Sequence, residues 1–141
     1  MLLLRLLAIA LPLDFAWEML QMPAFAGLPD DAITASGVCA LAAAADALIV
    51  LALWRFGAWM FGDPRWFAPT VLGRYIVIVL AGVTIHSALE WVFVARLALW
   101  TYRDVQPTVP GLRIGILPVL QPVVLLPLTF WLLGQWLRYR G

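Results

Sequence analysis

Ionisable side chains lie inside hydrophobic segments of this sequence. Four of its eight acidic residues do so, and they are Asp14, Glu18, Asp46 and Glu90. The single histidine, His86, lies in such a segment as well. Burying a charge in hydrocarbon costs on the order of 3 kcal/mol, so these groups must face one another or a polar cavity. Carboxyl groups crowded around a histidine can donate and accept protons at neutral pH, which is the chemistry of general acid–base catalysis.

The spacing of these residues places them on shared helix faces. Asp14, Glu18 and Gln21 stand at positions i, i+4 and i+7, and His86 and Glu90 stand at i and i+4. At about 1.5 Å of rise per residue, the polar groups of four segments reach overlapping depths. The predicted pocket has Asp14 and Asp46 at its lower level, with Glu18, Gln21, His86, Glu90 and Gln121 above them.

Composition indicates the elements that must position these groups. The 141 residues are 65% hydrophobic and 12% charged, with a mean hydropathy of +0.97, which is typical of an integral membrane protein. A membrane-spanning helix needs roughly 20 mostly apolar residues, and four runs qualify: 2–22, 33–56, 71–100 and 114–137. Short connections favour antiparallel neighbours. The predicted fold is therefore all-α, a four-helix transmembrane bundle that forms a single domain over residues 1–141.

The distribution of arginine predicts the orientation. One side collects Arg5, Arg55, Arg65, Arg74, Arg138 and Arg140, whereas the other has Arg96, Arg103 and Arg113 together with Asp30 and Asp31. The positive-inside rule then places both termini in the cytoplasm. An alternative is that residues 1–26 form a signal peptide cleaved after the small-x-small pattern Ala24-Phe25-Ala26, but Asp14 and Glu18 interrupt the apolar region such a peptide needs.

Several functional classes find no support in the sequence. The net charge of +1 and the lack of a basic cluster argue against a nucleic-acid partner. A single cysteine, Cys39, excludes an internal disulfide and is expected to be a small packing residue. One histidine cannot supply the paired Glu-x-x-His motifs of a di-iron bundle. We expect neither a metal nor a cofactor.

The polar pocket can be interpreted as structural or as catalytic. In the structural interpretation, the polar groups only join helices by hydrogen bonds. In the other, which we favour, Glu90 and Glu18 are a catalytic acid and its partner. The catalytic candidates are Glu18, Glu90, Asp14, Asp46 and His86. The candidates for substrate binding are Gln21, Gln121, Trp17, Trp91, Trp100 and Tyr102, whose aromatic members can stabilise a cation.

The segment that begins at Glu90 resembles the small membrane-embedded lycopene cyclases of the heterodimeric bacterial type. The matching residues are Glu90, Phe93, Trp100 with Tyr102, Gly111, Gly115, Leu117 and Pro118. An acidic pair of that family falls on Leu120 and Gln121, so this chain departs from the family there. The Trp-Glu-Met-Leu-Gln-Met-Pro sequence at 17–23 resembles a wider set of small four-span bacterial membrane proteins.

The resemblance implies a cyclase or isomerase of the bacterial inner membrane that acts on a hydrophobic lipid or isoprenoid. Its acid would protonate a double bond to start the reaction. Two alternatives stay open. The chain could be a non-catalytic subunit or assembly factor that pairs with a membrane protein partner, or a small proton-coupled transporter that works as a homo-oligomer.

Overall fold

The computed structural model describes residues 1–29 and 31–139. Within them the chain is mainly helical, with four long helices: α1 (Leu2–Gln21), α2 (Ala32–Phe61), α3 (Leu72–Trp91) and α4 (Ile116–Tyr139). A 3-10 turn, Met22–Ala24, extends α1, and a π-helical turn, Val92–Arg96, extends α3. Each helix contacts the next in a ring that α4 closes against α1.

Three of the helices are long and apolar enough to cross a membrane: α2, α3 with its π-helical turn, and α4. The sequence also predicted a membrane span over 2–22, and helix α1 forms there. However, α1 carries Arg5, Asp14 and Glu18 within its 20 residues, so its composition is more polar than that of the other three.

The connection between α2 and α3 folds into one end of the bundle as an aromatic core. Trp66 and Phe67 are fully buried there, and the Trp66 ring lies 4.7 Å from that of Phe130. The Trp66 indole donates to the carbonyl of Trp54 at 3.3 Å. Gly57 provides the space, because a Cβ at that position would lie 2.6 Å from the Trp66 ring.

A two-stranded antiparallel sheet caps the other end of the bundle. It joins β1 (Phe25–Ala26) to β2 (Thr101–Tyr102), with Phe25 opposite Tyr102. The loop after β2 is also tied to β1, because Arg103 donates its backbone N–H to Ala24 O at 3.0 Å and its Nε to Phe25 O at 3.1 Å. The connections α1–α2 and α3–α4 therefore meet over the same end of the ring.

Two helices differ from the spans predicted for them. The α-helix of the third span, predicted over 71–100, ends at Trp91, and the chain reverses after the π-helical turn, where Ala98 has a φ of 48°. Helix α2, predicted over 33–56, continues to Phe61 and ends at Gly62, whose φ of 67° is left-handed. The first and last helices, predicted over 2–22 and 114–137, begin and end within two residues of those limits. The predictions for Asp30 and Arg140 fall outside the described residues.

Candidate functional site

A cavity of about 400 Å³ lies between the four helices, next to the two-stranded cap. Most of its lining is apolar, and every helix adds at least one ionisable or amide side chain. Those polar members are Glu18 and Gln21 from α1, Asp46 from α2, His86 and Glu90 from α3, and Gln121 from α4. The cavity thus brings together six side chains that the sequence assigned to one intramembrane pocket.

Asp46 is the centre of a cluster that joins three helices. Gln121 Nε2 donates to Asp46 Oδ2 at 2.7 Å, and His86 Nε2 lies 3.4 Å from Asp46 Oδ1. On the other side of the imidazole, His86 Nδ1 lies 3.0 Å from the Gly82 carbonyl oxygen. A carbonyl oxygen only accepts, so Nδ1 carries a hydrogen. A proton on either Nε2 or Oδ1 would turn these two facing acceptors into a donor and an acceptor.

Glu18 is positioned by residues of its own helix. The Trp17 indole donates to Gln21 Oε1 at 3.0 Å, which orients the amide so that Gln21 Nε2 donates to Glu18 Oε1 at 2.8 Å. The Glu18 carboxyl adjoins that of Asp46. Adjacent carboxylates repel each other, so their proximity disfavours a negative charge on both at once.

Glu90, near the end of α3, is held by the segment that returns after the π-helical turn. Its Oε1 accepts from Trp100 Nε1 at 3.2 Å and from the Tyr102 hydroxyl. The same hydroxyl accepts from the backbone N–H of Gly115 at 2.8 Å. Burial raises the pKa of Tyr102 above its ordinary value, and the bond to Glu90 raises it further, so the hydroxyl stays a donor at neutral pH.

Gly115 permits this close approach. A Cβ there would overlap the side-chain amide of Gln106 and would lie 3.0 Å from a ring carbon of Tyr102. Gln106 is itself buried, and neither polar atom of its side chain has a partner among the described residues. Its amide therefore lies immediately behind the residues that hold Glu90.

Aromatic rings form the wall of the cavity beneath the cap. Phe25 packs edge to face against Trp100 with centroids 6.3 Å apart, and Phe93 packs against the same indole at 5.4 Å. Among the described residues that line the cavity there is no arginine, and His86 is the one basic side chain. Ring faces and carboxyl groups together make a cavity that favours positive charge in its occupant.

The remaining predicted site residues lie around the cavity but do not line it. Asp14 is 2% exposed and lies near Asp46, His86 and Gln121, and its Oδ2 has no partner among the described residues. Trp17 donates a hydrogen bond to Gln21, and Tyr102 donates one to Glu90. These two partners line the cavity. Trp91 is turned outward, with the Arg96 guanidinium 5.0 Å from its ring.

Two features of the site differ from the sequence-based picture. Asp46, predicted one level below His86 and Gln121, contacts both directly. Phe25, absent from the predicted site, lines the cavity because the connection after α1 folds back over it. The position of Phe25 two residues after the helix-ending Pro23 is the one signal that could have suggested it.

The described residues contain no group of three or more His, Cys, Asp or Glu side chains arranged to hold a metal ion. No protein-family model, curated protein or solved structure matches the chain. The resemblance to lycopene cyclases therefore stays a prediction from the sequence.

Proposed function

We propose that this protein is an intramembrane acid–base enzyme that cyclises or isomerises a lipid-soluble, unsaturated molecule of the isoprenoid type. The observation that supports it best is the contact between His86 and Asp46 at the wall of a mostly apolar cavity. A structural network between helices needs neither an empty space of this size nor three carboxyl groups around it.

The proposal includes four membrane crossings, with α1 as the fourth. The two acidic residues that make α1 polar face the interior, since Asp14 is buried and Glu18 lines the cavity. Arg5 lies in the first turns, 5.8 Å from the Trp136 ring of α4, where it can reach the lipid headgroups. The arginine distribution then favours cytoplasmic termini, and the resemblance to bacterial cyclases favours the bacterial inner membrane.

The reaction begins with proton transfer from the side of the cavity formed by His86, Asp46 and Glu18. The proton adds to one carbon of a double bond and leaves a carbocation at the other carbon. The faces of Phe25, Phe93 and Trp100 stabilise that cation. In a cyclisation, a second double bond of the same chain attacks the cation and closes a ring.

Glu90 completes the reaction by removing a proton from a carbon next to the final cation, which restores a double bond. Two donors converge on its Oε1, and hydrogen bonds of this kind stabilise a carboxylate. The sequence-based hypothesis made Glu90 the acid, but this geometry favours it as the base. Since one proton is added and one is lost, the product is an isomer of the substrate.

A comparison of neutral lipids by mass spectrometry tests the proposal. Four strains would be profiled. Three produce the wild type, Glu90→Gln and Asp104→Asn, respectively, at equal membrane abundance. The fourth lacks the protein. Asp104 is an exposed acid of the loop after β2 and serves as the matched control. We expect a species of unchanged mass and shifted retention time with the wild type and Asp104→Asn, and its loss with Glu90→Gln. Identical profiles in all strains across a broad set of precursor lipids would refute the proposal.

One alternative draws on the same observation. A proton site beside a cavity also suits a proton-coupled transporter, which would show pH-dependent flux from purified protein in liposomes. Flux that survives the combined substitution of Asp14, Glu18, Asp46 and Glu90 would exclude the transporter.

A second alternative is a non-catalytic subunit or assembly factor. In that case, Glu90→Gln would weaken co-purification of the protein with its partner.

A further inference from the structure

In the described structure, the cavity opens to the protein surface on one side only. Its lining residues from α1 and α4 are buried or half-buried. The exposed lining residues, Val38, Leu41, Ala45 and Leu89, all belong to α2 and α3. Leu41 is 74% exposed, and Leu89 on the facing helix is 37% exposed. An opening therefore lies between α2 and α3.

The opening follows from how these two helices pack. Their contact is the weakest between neighbours in the ring. At the aromatic end, Leu53 of α2 still comes within contact distance of Gly82 in α3. Nearer the cap, small residues of α2 leave a gap along the face that carries Ala42 and Ala45.

This opening lies at membrane depth. Leu41 and Ala45 lie roughly 14–20 Å along α2 from Ala32, at about 1.5 Å of rise per residue. Both α2 and α3 are helices with the length and hydropathy of membrane spans. On the aqueous side, Phe25 and Trp100 cover the cavity, and the bonds from Arg103 fix Phe25 in place.

We infer that the gap between α2 and α3 is a lateral portal through which one end of a long, unsaturated hydrocarbon chain enters the cavity directly from the bilayer. A cavity of about 400 Å³ lies near the lower limit of roughly 300–1,000 Å³ for small-ligand sites. It accommodates an end group, while the rest of the chain stays among the lipid acyl chains outside Leu41 and Leu89. This inference rests on the proposed function for its ligand class and on the membrane placement for its route.

The only cysteine of the sequence provides a probe that does not depend on catalysis. Cys39 is buried and lines the cavity. In proteoliposomes, a lipophilic maleimide dissolved in the bilayer should label it much faster than a charged, water-soluble methanethiosulfonate. Equal or faster labelling by the charged reagent would mean that the cavity opens to water, and the portal would be rejected.

Two pairs of variants locate the route. Ala45→Phe narrows the portal from α2, and Ala44→Phe changes the neighbouring exposed residue, which does not line the cavity. Leu89→Trp and its neighbour Ala88→Trp form the same pair on α3. We expect each portal variant to slow lipophilic labelling roughly tenfold, since close-packed side chains leave no gap, and each neighbour to label at the wild-type rate. Wild-type rates in all four would overturn the inference.

A protection experiment tests the class of occupant. Squalene and squalane share one carbon skeleton, and only squalene has double bonds. Squalene in the vesicles should slow labelling of wild-type Cys39, with squalane slowing it less, because cavity rings and carboxyls favour a polarisable, unsaturated end. Equal rates with and without squalene would reject this occupant.

Failure of the portal and failure of the proposed function give different results. If Ala45→Phe and Leu89→Trp leave labelling unchanged while Glu90→Gln abolishes product, the enzyme stands and the route is wrong. If the portal variants slow labelling while Glu90→Gln leaves the lipid profile unchanged, the route stands and the catalytic role is wrong.

Discussion

The two ends of the bundle are built from the same four helices but differ in how they use their polar groups. At the aromatic end, Trp66, Phe67 and Phe130 fill the interior, and polar atoms bond to backbone carbonyls, as Tyr75 does to Phe67 O at 3.2 Å. At the capped end, a cavity of about 400 Å³ stays open, and carboxyl groups face it. Because aromatic rings fill the interior at one end and carboxyl groups face an open cavity at the other, we assign stability to the first end and chemistry to the second.

This difference has an energetic consequence. Buried carboxyl groups lower stability unless they are fully paired, and a cavity forfeits dispersion contacts. Functional sites commonly carry such a cost, and the rest of the fold offsets it. Substitutions at the aromatic end should therefore change the free energy of unfolding and spare activity, whereas those at the capped end should do the reverse.

The largest effect on stability is expected for Trp66→Ala. It removes a fully buried indole and should lower the free energy of unfolding by about 3–5 kcal/mol. Denaturant titration in micelles, followed by circular dichroism, measures this. Trp59→Ala is the control, since Trp59 is 75% exposed and should change little. Loss of product formation by Trp66→Ala without loss of stability would break the proposed division between the two ends.

Gly57→Ala should have the next largest effect. The added Cβ would lie 2.6 Å from the buried Trp66 ring, and overpacking of this kind costs about 1–3 kcal/mol. Gly73→Ala is matched to it, because Gly73 is also helical and no atom of the described residues lies within 4 Å of its Cβ position. That control should be neutral or should stabilise by up to about 1 kcal/mol, from helix propensity. Equal unfolding midpoints for the two variants would contradict the packing described for Gly57.

Asp14→Asn should move stability the other way. It replaces a buried ionisable carboxyl by a neutral amide of the same shape, and we expect neutrality or a gain of about 1 kcal/mol. Product formation should fall, because Asp14 adjoins the Asp46–His86 pair. Unfolding titrations and lipid profiles of the same preparation measure both effects. A clear loss of stability would instead make Asp14 a structural residue.

The smallest effect concerns pH and Tyr102. Because its pKa is raised in the folded protein, the unfolded chain releases this proton first as pH increases beyond about 10. Tyr102 therefore contributes stability that is present below that pH and is lost as pH rises further. Unfolding midpoints between pH 8 and 11 should decline more steeply for the wild type than for Tyr102→Phe. Parallel curves would contradict a raised pKa for Tyr102 in the folded protein.

Much of the helical framework and much of the cavity could be predicted from local patterns. Hydropathy located the helices, and the spacing of Asp14, Glu18 and Gln21 identified the inward face of α1. The same reasoning found His86 and Glu90. These predictions depend only on helix periodicity, which a sequence reports directly.

Features that depend on tertiary contacts could not be predicted in this way. Trp100 continues an apolar run, and only the reversal near Ala98 returns it to Glu90. Trp66 looks like an interface aromatic in a loop, yet it fills the core because Gly57 leaves room across the bundle. The contact between His86 and Asp46 depends on the relative height of two helices, and estimates by residue counting did not resolve it.

The most direct test of the central claim is a reaction of purified protein with the extracted lipid substrate in D2O. Protonation of a double bond followed by loss of a different proton should place one deuterium in each molecule of isomerised product, which mass spectrometry detects as a gain of one mass unit. The account predicts this labelled isomer with wild-type protein and its loss with Glu90→Gln. An isomer formed without deuterium, or formed equally by Glu90→Gln, would contradict acid–base catalysis in the cavity.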